Sequence, residues 1–399
     1  MQKFTRKKLK NGMTVLFEKR DLPLVSLCIA NPFGGAFEES KIKGIAHFIE
    51  HLVFTGTKTR THEDISREIE KKGGILNAFT ANEVTSFWFK MPSEHVMAGL
   101  EILTDMLNNA VMKEEKFEKE KKVIIEEIKM YHDDPARNVY DKIESGLYEN
   151  PFGENIIGSA KSINALKRDF VFKFFKDNYN PENFVVVVVG NVDIDKVYAF
   201  LEKNFRGNGK KSKLVEIKKK YNEDIEERVG IDQAHFVIGM HAPRIGSQGH
   251  AALEVLNAYL ADGMSSKLFL KIREEKGLAY NVRGGISAEK SYSYYTIYAG
   301  TRKDVIDEVK KEIIDGFKNI DKMNEKELEE AKQRVIGLKK VSSEESASVM
   351  NELLFAELAG KAEDYYTYEE KIRSVKIGDV KKLAKELIKN YSIAAIVPK

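Results

Sequence analysis

The sequence predicts an α+β protein of two tandem homologous α/β units, each a mostly antiparallel sheet covered by helices. Three observations predict it. Short runs rich in β-branched residues alternate with amphipathic helical patterns along all 399 residues. The order of these patterns in the first half recurs in the second. The clearest matching pair is Met112-Lys113-Glu114-Glu115-Lys116-Phe117-Glu118 and Met323-Asn324-Glu325-Lys326-Glu327-Leu328-Glu329, 211 residues apart.

Residues 14–20 and 24–30 are rich in Val, Leu and Ile and read as two strands joined by a turn at Asp21-Leu22-Pro23. Residues 31–43 contain Gly34-Gly35 and read as a loop. Residues 44–54 read as a helix, and residues 63–72 as a second one, ended by Gly73-Gly74. Residues 75–81 and 85–91 read as paired strands around Asn82-Glu83. An amphipathic helix is predicted over 93–110 with Ser93 as its N-cap. A long charged helix follows over 113–130 and stops at Asp133-Asp134-Pro135. Residues 137–148 are helical again, and Pro151-Phe152-Gly153 opens a loop to Ser159. Residues 168–179 form a helix, residues 184–189 with five valines a buried central strand, and residues 193–205 the closing helix.

This places a first domain at 1–207, a polar, Lys-rich linker at 208–222 and a homologous second domain at 223–399. Within the second domain, residues 235–240 answer the strand before the 44–54 helix, and 251–260 answer that helix. Lys276-Gly277-Leu278-Ala279-Tyr280-Asn281 parallels Lys72-Gly73-Gly74-Ile75-Leu76-Asn77. Residues 291–299 parallel 85–91, and residues 303–319 parallel 93–110.

Apolar residues make up 42% and charged residues 32%, the balance of an ordinary water-soluble domain. Lys+Arg 65 against Asp+Glu 62 leaves a net charge of +3, so neither nucleic acid nor a membrane surface is expected as partner. Cys28 stands alone, which excludes an intrachain disulfide and a cysteine-based zinc knuckle. No apolar run reaches membrane-spanning length, and MQKFTRKKLKNG lacks a signal-peptide core. A cytoplasmic location in a prokaryote is the expectation.

Gly44-Ile45-Ala46-His47-Phe48-Ile49-Glu50-His51-Leu52-Val53-Phe54 carries the chemistry. His47 and His51 are four residues apart, so both imidazoles share one helical face, and Glu50 borders that face. Burying these polar groups in an oily helix is costly unless something coordinates them. Two imidazoles and a carboxylate in H-x-x-E-H order suit a zinc site that still needs a ligand. The matching second-half stretch, Leu253-Glu254-Val255-Leu256-Asn257-Ala258, has no histidine.

The missing ligand is sought on the 113–130 helix. Glu120 and Glu127, two turns apart, share a face with Val123, an inward-facing residue by type. This pattern suits one carboxylate on a metal and another steadying a ligand, and equally a solvated charged stripe. Glu126 is a rival ligand about 100° around the helix. The shift of 211 carries Glu120 to Ala331 and Glu127 to Leu338, so the carboxylates vanish in the copy that lacks the histidines.

These residues resemble the inverzincin, or pitrilysin-like (M16), zinc metallopeptidases, the group of insulin-degrading enzyme and the mitochondrial processing peptidase. The resemblance rests on His47-Phe48-Ile49-Glu50-His51, on Glu127 lying 76 residues after His51, and on the Glu120 to Glu127 spacing. It also rests on Asn77-Ala78, on Pro151-Phe152-Gly153 with Ile157-Gly158, and on Asn180-Pro181-Glu182-Asn183-Phe184. It spans nearly the whole chain and implies the short two-domain form with a LuxS/processing-peptidase-like fold.

The resemblance implies that His47, His51 and Glu127 ligate one Zn2+ per chain. It makes Glu50 the general base on the metal-bound water, with Glu120 assisting catalysis from behind a ligand. Asn77, Ala78 and Phe79 would lie in an edge strand that pairs with the substrate backbone. Arg273 and Tyr280, seven apart, would reach the scissile bond from the opposite half-molecule. Larger relatives hold four such units, so this chain is expected to close a chamber as a homodimer. The expected function is zinc-dependent endopeptidase or oligopeptidase action on short or unfolded peptides. The alternatives are a processing peptidase that removes N-terminal segments and a non-catalytic assembly subunit.

Overall fold

The run Val185-Val186-Val187-Val188-Val189 is buried along its whole length, because branched side chains pack on both faces of a central strand. A computed structural model of the chain describes residues 4–207 and 212–399. Its strands are β1 (Phe4–Lys8), β2 (Thr14–Lys19), β3 (Leu24–Asn31), β4 (Ile75–Thr80), β5 (Thr85–Pro92) and β6 (Val185–Gly190), then β7 (Glu223–Arg228), β8 (Ala234–His241), β9 (Ala279–Ala288), β10 (Ser293–Thr301) and β11 (Ser392–Pro398). Its helices begin with α1 (Ile45–Val53), α2 (His62–Glu70), α3 (Val96–Asn109), α4 (Glu114–Asp133), α5 (Pro135–Leu147), α6 (Ala160–Ala165), α7 (Arg168–Asn178) and α8 (Ile194–Asn204). They continue with α9 (His250–Leu260), α10 (Ile306–Lys318), α11 (Glu325–Ser342), α12 (Ser346–Ala359), α13 (Tyr368–Arg373) and α14 (Ile377–Leu387).

The chain forms two compact units that interleave in sequence. The first comprises Met1–Ile128, Glu154–Glu216 and Ser342–Ala362; the second comprises Lys129–Gly153, Ile217–Val341 and Glu363–Lys399. Helix α5 therefore belongs to the second unit and α12 to the first. Of the stretch expected as linker, residues 208–211 lie outside the described residues.

The first unit holds a six-stranded sheet in the order β1-β2-β6-β3-β5-β4. The strands at 14–20 and 24–30 were expected to neighbour one another across a turn, but the valine strand β6 lies between them. It runs parallel to β2 and antiparallel to β3. Six buried residues in a row favour the middle of the sheet over a two-stranded hairpin with an open side. One sheet face packs on a core that includes Phe48, Leu52, Phe87, Phe89, Leu103 and Phe117. Helix α12 lies against β3 and β6, where Ser346 and Ser26 share a 2.8 Å hydrogen bond.

The second unit holds the order β7-β11-β8-β10-β9, with β11 parallel to β7 and every other pairing antiparallel. This repeats β2-β6-β3-β5-β4 strand for strand. The counterpart of the valine strand is β11, and α5 lies against β8 and β11.

Local signals explain most boundaries. Asp134 caps α5 by accepting from the Ala136 and Arg137 amides, and Pro135 occupies the first turn, where no amide is needed. Ser93 does not cap α3. Residues Ser93–His95 form a 3₁₀ turn and α3 begins at Val96. The strand β5 runs on to Pro92, which holds Ser93 too far upstream to cap.

Candidate metal centre

Helix α1 is buried almost throughout. Ile45, Ala46, Phe48, Ile49, Leu52 and Val53 all lie in the core, so the helix can turn only its remaining face outward, the one bearing His47, Glu50 and His51. Its start is built from buried polar groups. The Glu38 carboxylate accepts from the Gly44 amide at 3.0 Å and the Ala46 amide at 2.7 Å, satisfying two donors at the helix N-terminus. Burial pushes the Glu38 carboxyl above its usual range, against the pull of Lys43 and these amides. Gly44 sits at φ 92°, and a Cβ there would press on the Ile157 carbonyl and Gly158.

Helix α4 brings the third group. Phe117 packs at a tilt against Phe48 of α1 with ring centroids 4.8 Å apart, and Ile124 is fully buried two turns further along. The expected inward residue Val123 is instead 42% exposed. The packed face runs through Phe117, Lys121 and Ile124, and Val123 lies about 100° off it. That register turns Glu120 and Glu127 toward α1, while Glu126 is exposed.

His47, His51 and Glu127 form a group of possible metal ligands whose donor atoms all lie within 4.8 Å of one another. Glu127 Oε2 is 3.7 Å from His47 Nε2 and 3.6 Å from His51 Nε2. Two ligand atoms on one tetrahedral zinc stand about 3.4 Å apart, so these separations fit such an ion. On its other side His51 Nδ1 faces Glu120 Oε2 at 3.4 Å, which leaves Nε2 turned to the cluster. Burial works against charge on His51, but Glu120, Glu127 and Glu50 outweigh it and raise its pKa. Glu50 borders the group. Burial raises its pKa and Glu127 adds to the effect, while a hydrogen bond from Thr80 and the nearness of His51 oppose it.

Asn77, Ala78 and Phe79 lie in β4, the edge strand of the first sheet. Ala78 packs toward the core, and its amide donates to Asn77 Oδ1 at 2.8 Å. Phe79, on the opposite face, stacks on Phe355 of α12 with centroids 6.2 Å apart. Two functional candidates were missed in the sequence. Thr80 donates to Glu50 Oε2 at 2.5 Å, and Glu38 holds the start of α1. Thr80 directly follows Asn77-Ala78-Phe79, the one signal that could have flagged it.

Arg273 and Tyr280 belong to the second unit and meet each other there. The guanidinium lies 5.1 Å from the Tyr280 ring and 4.9 Å from Phe269, and Tyr280 is 73% exposed. Arg273 sits in a π-helical stretch, Phe269–Glu275, a form common at functional sites. In this unit α9 carries no H-x-x-E-H motif, and its Asn257 accepts from the Tyr295 hydroxyl at 3.0 Å.

Comparison with known proteins decides the family. Residues 15–160 match the family described as Insulinase (Peptidase family M16), and residues 165–335 match the Peptidase M16 inactive domain. A Bacillus subtilis protein named as an uncharacterized zinc protease, YmxG, is 31% identical over 98% of this chain and 97% of its own. The chain belongs to peptidase family M16. A Rickettsia felis protein, also named as an uncharacterized zinc protease, is 31% identical over 99% of this chain and 98% of its own. The crystal structure of a protease from Helicobacter pylori shares the M16 fold, with a TM-score of 0.93, 22% identity and 99% of each chain covered. The residues of the possible metal cluster all fall in the insulinase match, and Arg273 and Tyr280 fall in the match described as inactive. Among the described residues no helix is long and apolar enough to cross a membrane.

Proposed function

We propose that this chain is a zinc-dependent endopeptidase or oligopeptidase that hydrolyses short or unfolded peptides. The convergence of His47, His51 and Glu127 at zinc-compatible spacing, with Glu50 beside them, carries the reading. His47 Nε2, His51 Nε2 and Glu127 Oε2 would hold one zinc ion. When bound, zinc supplies Lewis-acid chemistry and brings the pKa of a coordinated water to about 7. Glu50 takes a proton from the water that attacks the scissile carbonyl carbon. It then hands that proton to the leaving nitrogen as the C–N bond breaks. A base with a raised pKa suits both transfers. Glu120 keeps His51 in the tautomer that presents Nε2.

The substrate backbone would extend the first sheet at β4. The opposite edge strand, β1, is guarded by Arg6, Lys7 and Lys8, whereas β4 (Ile-Leu-Asn-Ala-Phe-Thr) carries no charge. A substrate carbonyl would replace Asn77 Oδ1 as acceptor for the Ala78 amide. We further propose a homodimer that encloses a chamber, in which Arg273 of the partner subunit and the partner's Tyr280 brace the developing oxyanion. A chamber of that kind admits extended peptides and excludes folded proteins.

The test is cleavage of internally quenched, unstructured peptides by zinc-loaded protein, with a chelator and with a folded protein as controls. The proposal expects cleavage that stops on chelation, returns with zinc and spares the folded protein. No cleavage across a diverse peptide set, with zinc bound, overturns it.

A further inference from the structure

Glu50 occupies a fixed backbone position on α1, but its side chain has three rotatable bonds. Without a restraint the carboxylate sweeps over several ångströms, and misplacing a reacting group by about 1 Å can cost on the order of 10²-fold in rate. The structure supplies a restraint from outside the H-x-x-E-H helix: the Thr80 hydroxyl, which donates to Glu50 Oε2 at 2.5 Å. We propose that Thr80 is a positioning residue for the general base, fixing one carboxylate oxygen of Glu50 so that the other meets the attacking water. The inference rests on the peptidase reading above.

Thr80 is well placed to act as a fixed reference. Its side chain is β-branched and therefore stiff about χ1. It ends β4, paired with Thr85 across the β4–β5 hairpin, and the Ala81 amide closes that hairpin on the Val84 carbonyl at 2.8 Å. The turn is tied in turn to the loop before α1, through Gly35 N to Ala81 O at 3.3 Å and Ala36 N to Asn82 O at 2.7 Å. Thr85 Oγ1 donates to the Phe33 carbonyl at 2.9 Å and anchors the second strand to the same loop. Thr80 also stands two residues, about 7 Å, from Ala78 on one strand. The strand that would register the substrate backbone thus also orients the base, and both are aligned to one piece of rigid structure.

The experiment compares Thr80→Val, which keeps the shape and the β-branch but loses the donor, with Thr80→Ser, which keeps the donor. Wild type and Glu50→Gln serve as controls, and zinc content is measured for each protein. The expected result for Thr80→Val is a fall in kcat of about 10- to 100-fold, with KM and zinc content within about twofold of wild type. Thr80→Ser should recover most of the activity. A second readout needs neither metal nor turnover: thermal unfolding of the metal-free single and double variants Thr80→Val and Glu50→Ala. Their Tm shifts should fail to add by about 2–4 °C. The inference is overturned if Thr80→Val retains wild-type kcat, if its loss lies in KM or in zinc content, if Thr80→Ser is equally impaired, or if the Tm shifts add. Should wild type cleave no peptide, the peptidase reading falls, and the metal-free cycle still decides whether Thr80 holds Glu50.

Discussion

At the scale of single residues, the spacing of His47, Glu50 and His51 on one helix could be read directly, as could the shared face of Glu120 and Glu127. Helical periodicity converts such spacing into geometry without knowledge of the fold. Thr80 could not be read this way, because its bond to Glu50 links a strand to a helix 30 residues away. Val123 misled because residue type says only that a side chain can be buried, and the α4 register left it outside. His241 offers a prediction away from the metal centre. It lies among Tyr148, Tyr221 and the Lys220 carbonyl, and burial lowers its pKa to about 4. The unfolded chain therefore takes up this proton first as pH falls below the ordinary imidazole value. Stability from this site is complete above about pH 6.5 and is lost as pH falls toward 4. Allowing for its partial exposure, the loss at pH 5 is about 1 kcal/mol, or about 2–4 °C in Tm. His241→Gln should flatten the Tm-against-pH curve between pH 7 and 5, and an unchanged curve would refute the assignment.

Elements were legible where a local signal set their ends and less so where pairing was long-range. The β4–β5 hairpin, α5 and the buried valine strand follow from local pattern, although Asp134 reads in sequence as a stop for α4 and serves in the structure as the cap of α5. The insertion of β6 between β2 and β3 does not, because strand order is a tertiary choice. Helix α1 depends on a left-handed Gly44 packed against Ile157 and Gly158. Gly44→Ala should cost about 1–3 kcal/mol through strain and crowding, and lower zinc occupancy with it. Thermal unfolding together with metal analysis checks both. On the edge strand, Ala78→Pro removes the amide assigned to the substrate carbonyl. Peptide kcat/KM should fall at least about 100-fold while zinc stays bound. Retained kcat/KM would show that β4 does not receive the substrate.

At the scale of the whole molecule, the 211-residue repeat seen in one pair of segments extends through the architecture. Pro135 and Ser346, the first residues of α5 and α12, lie that same distance apart, and the two sheets share one strand order. The units exchange these equivalent helices, which sequence order could not reveal because a helix is assigned by the sheet it packs on. A buried lysine paired with an exposed glutamate marks both copies as well: Lys121 with Glu118 at 2.9 Å and Lys332 with Glu329 at 2.7 Å. Among the described residues, the cluster of possible metal ligands lies in the first unit alone. If a partner completes each site, Glu50→Gln and Arg273→Ala chains should each be inactive alone. Mixed under exchange conditions, they should recover about one quarter of wild-type activity, since half the dimers are mixed and each holds one intact site. Recovery of none would place Arg273 in the same chain's site, and an Arg273→Ala chain active alone would place it in no site.

The central claim is that His47, His51 and Glu127 hold zinc while Glu50 moves the proton. Measuring zinc stoichiometry and peptide hydrolysis together, on wild type and Glu50→Gln, tests it most directly. The account predicts about one zinc per chain in both proteins. Hydrolysis should fall in the variant by at least about 10³-fold. Equal hydrolysis by the two proteins, or a wild type that binds no zinc, would contradict it.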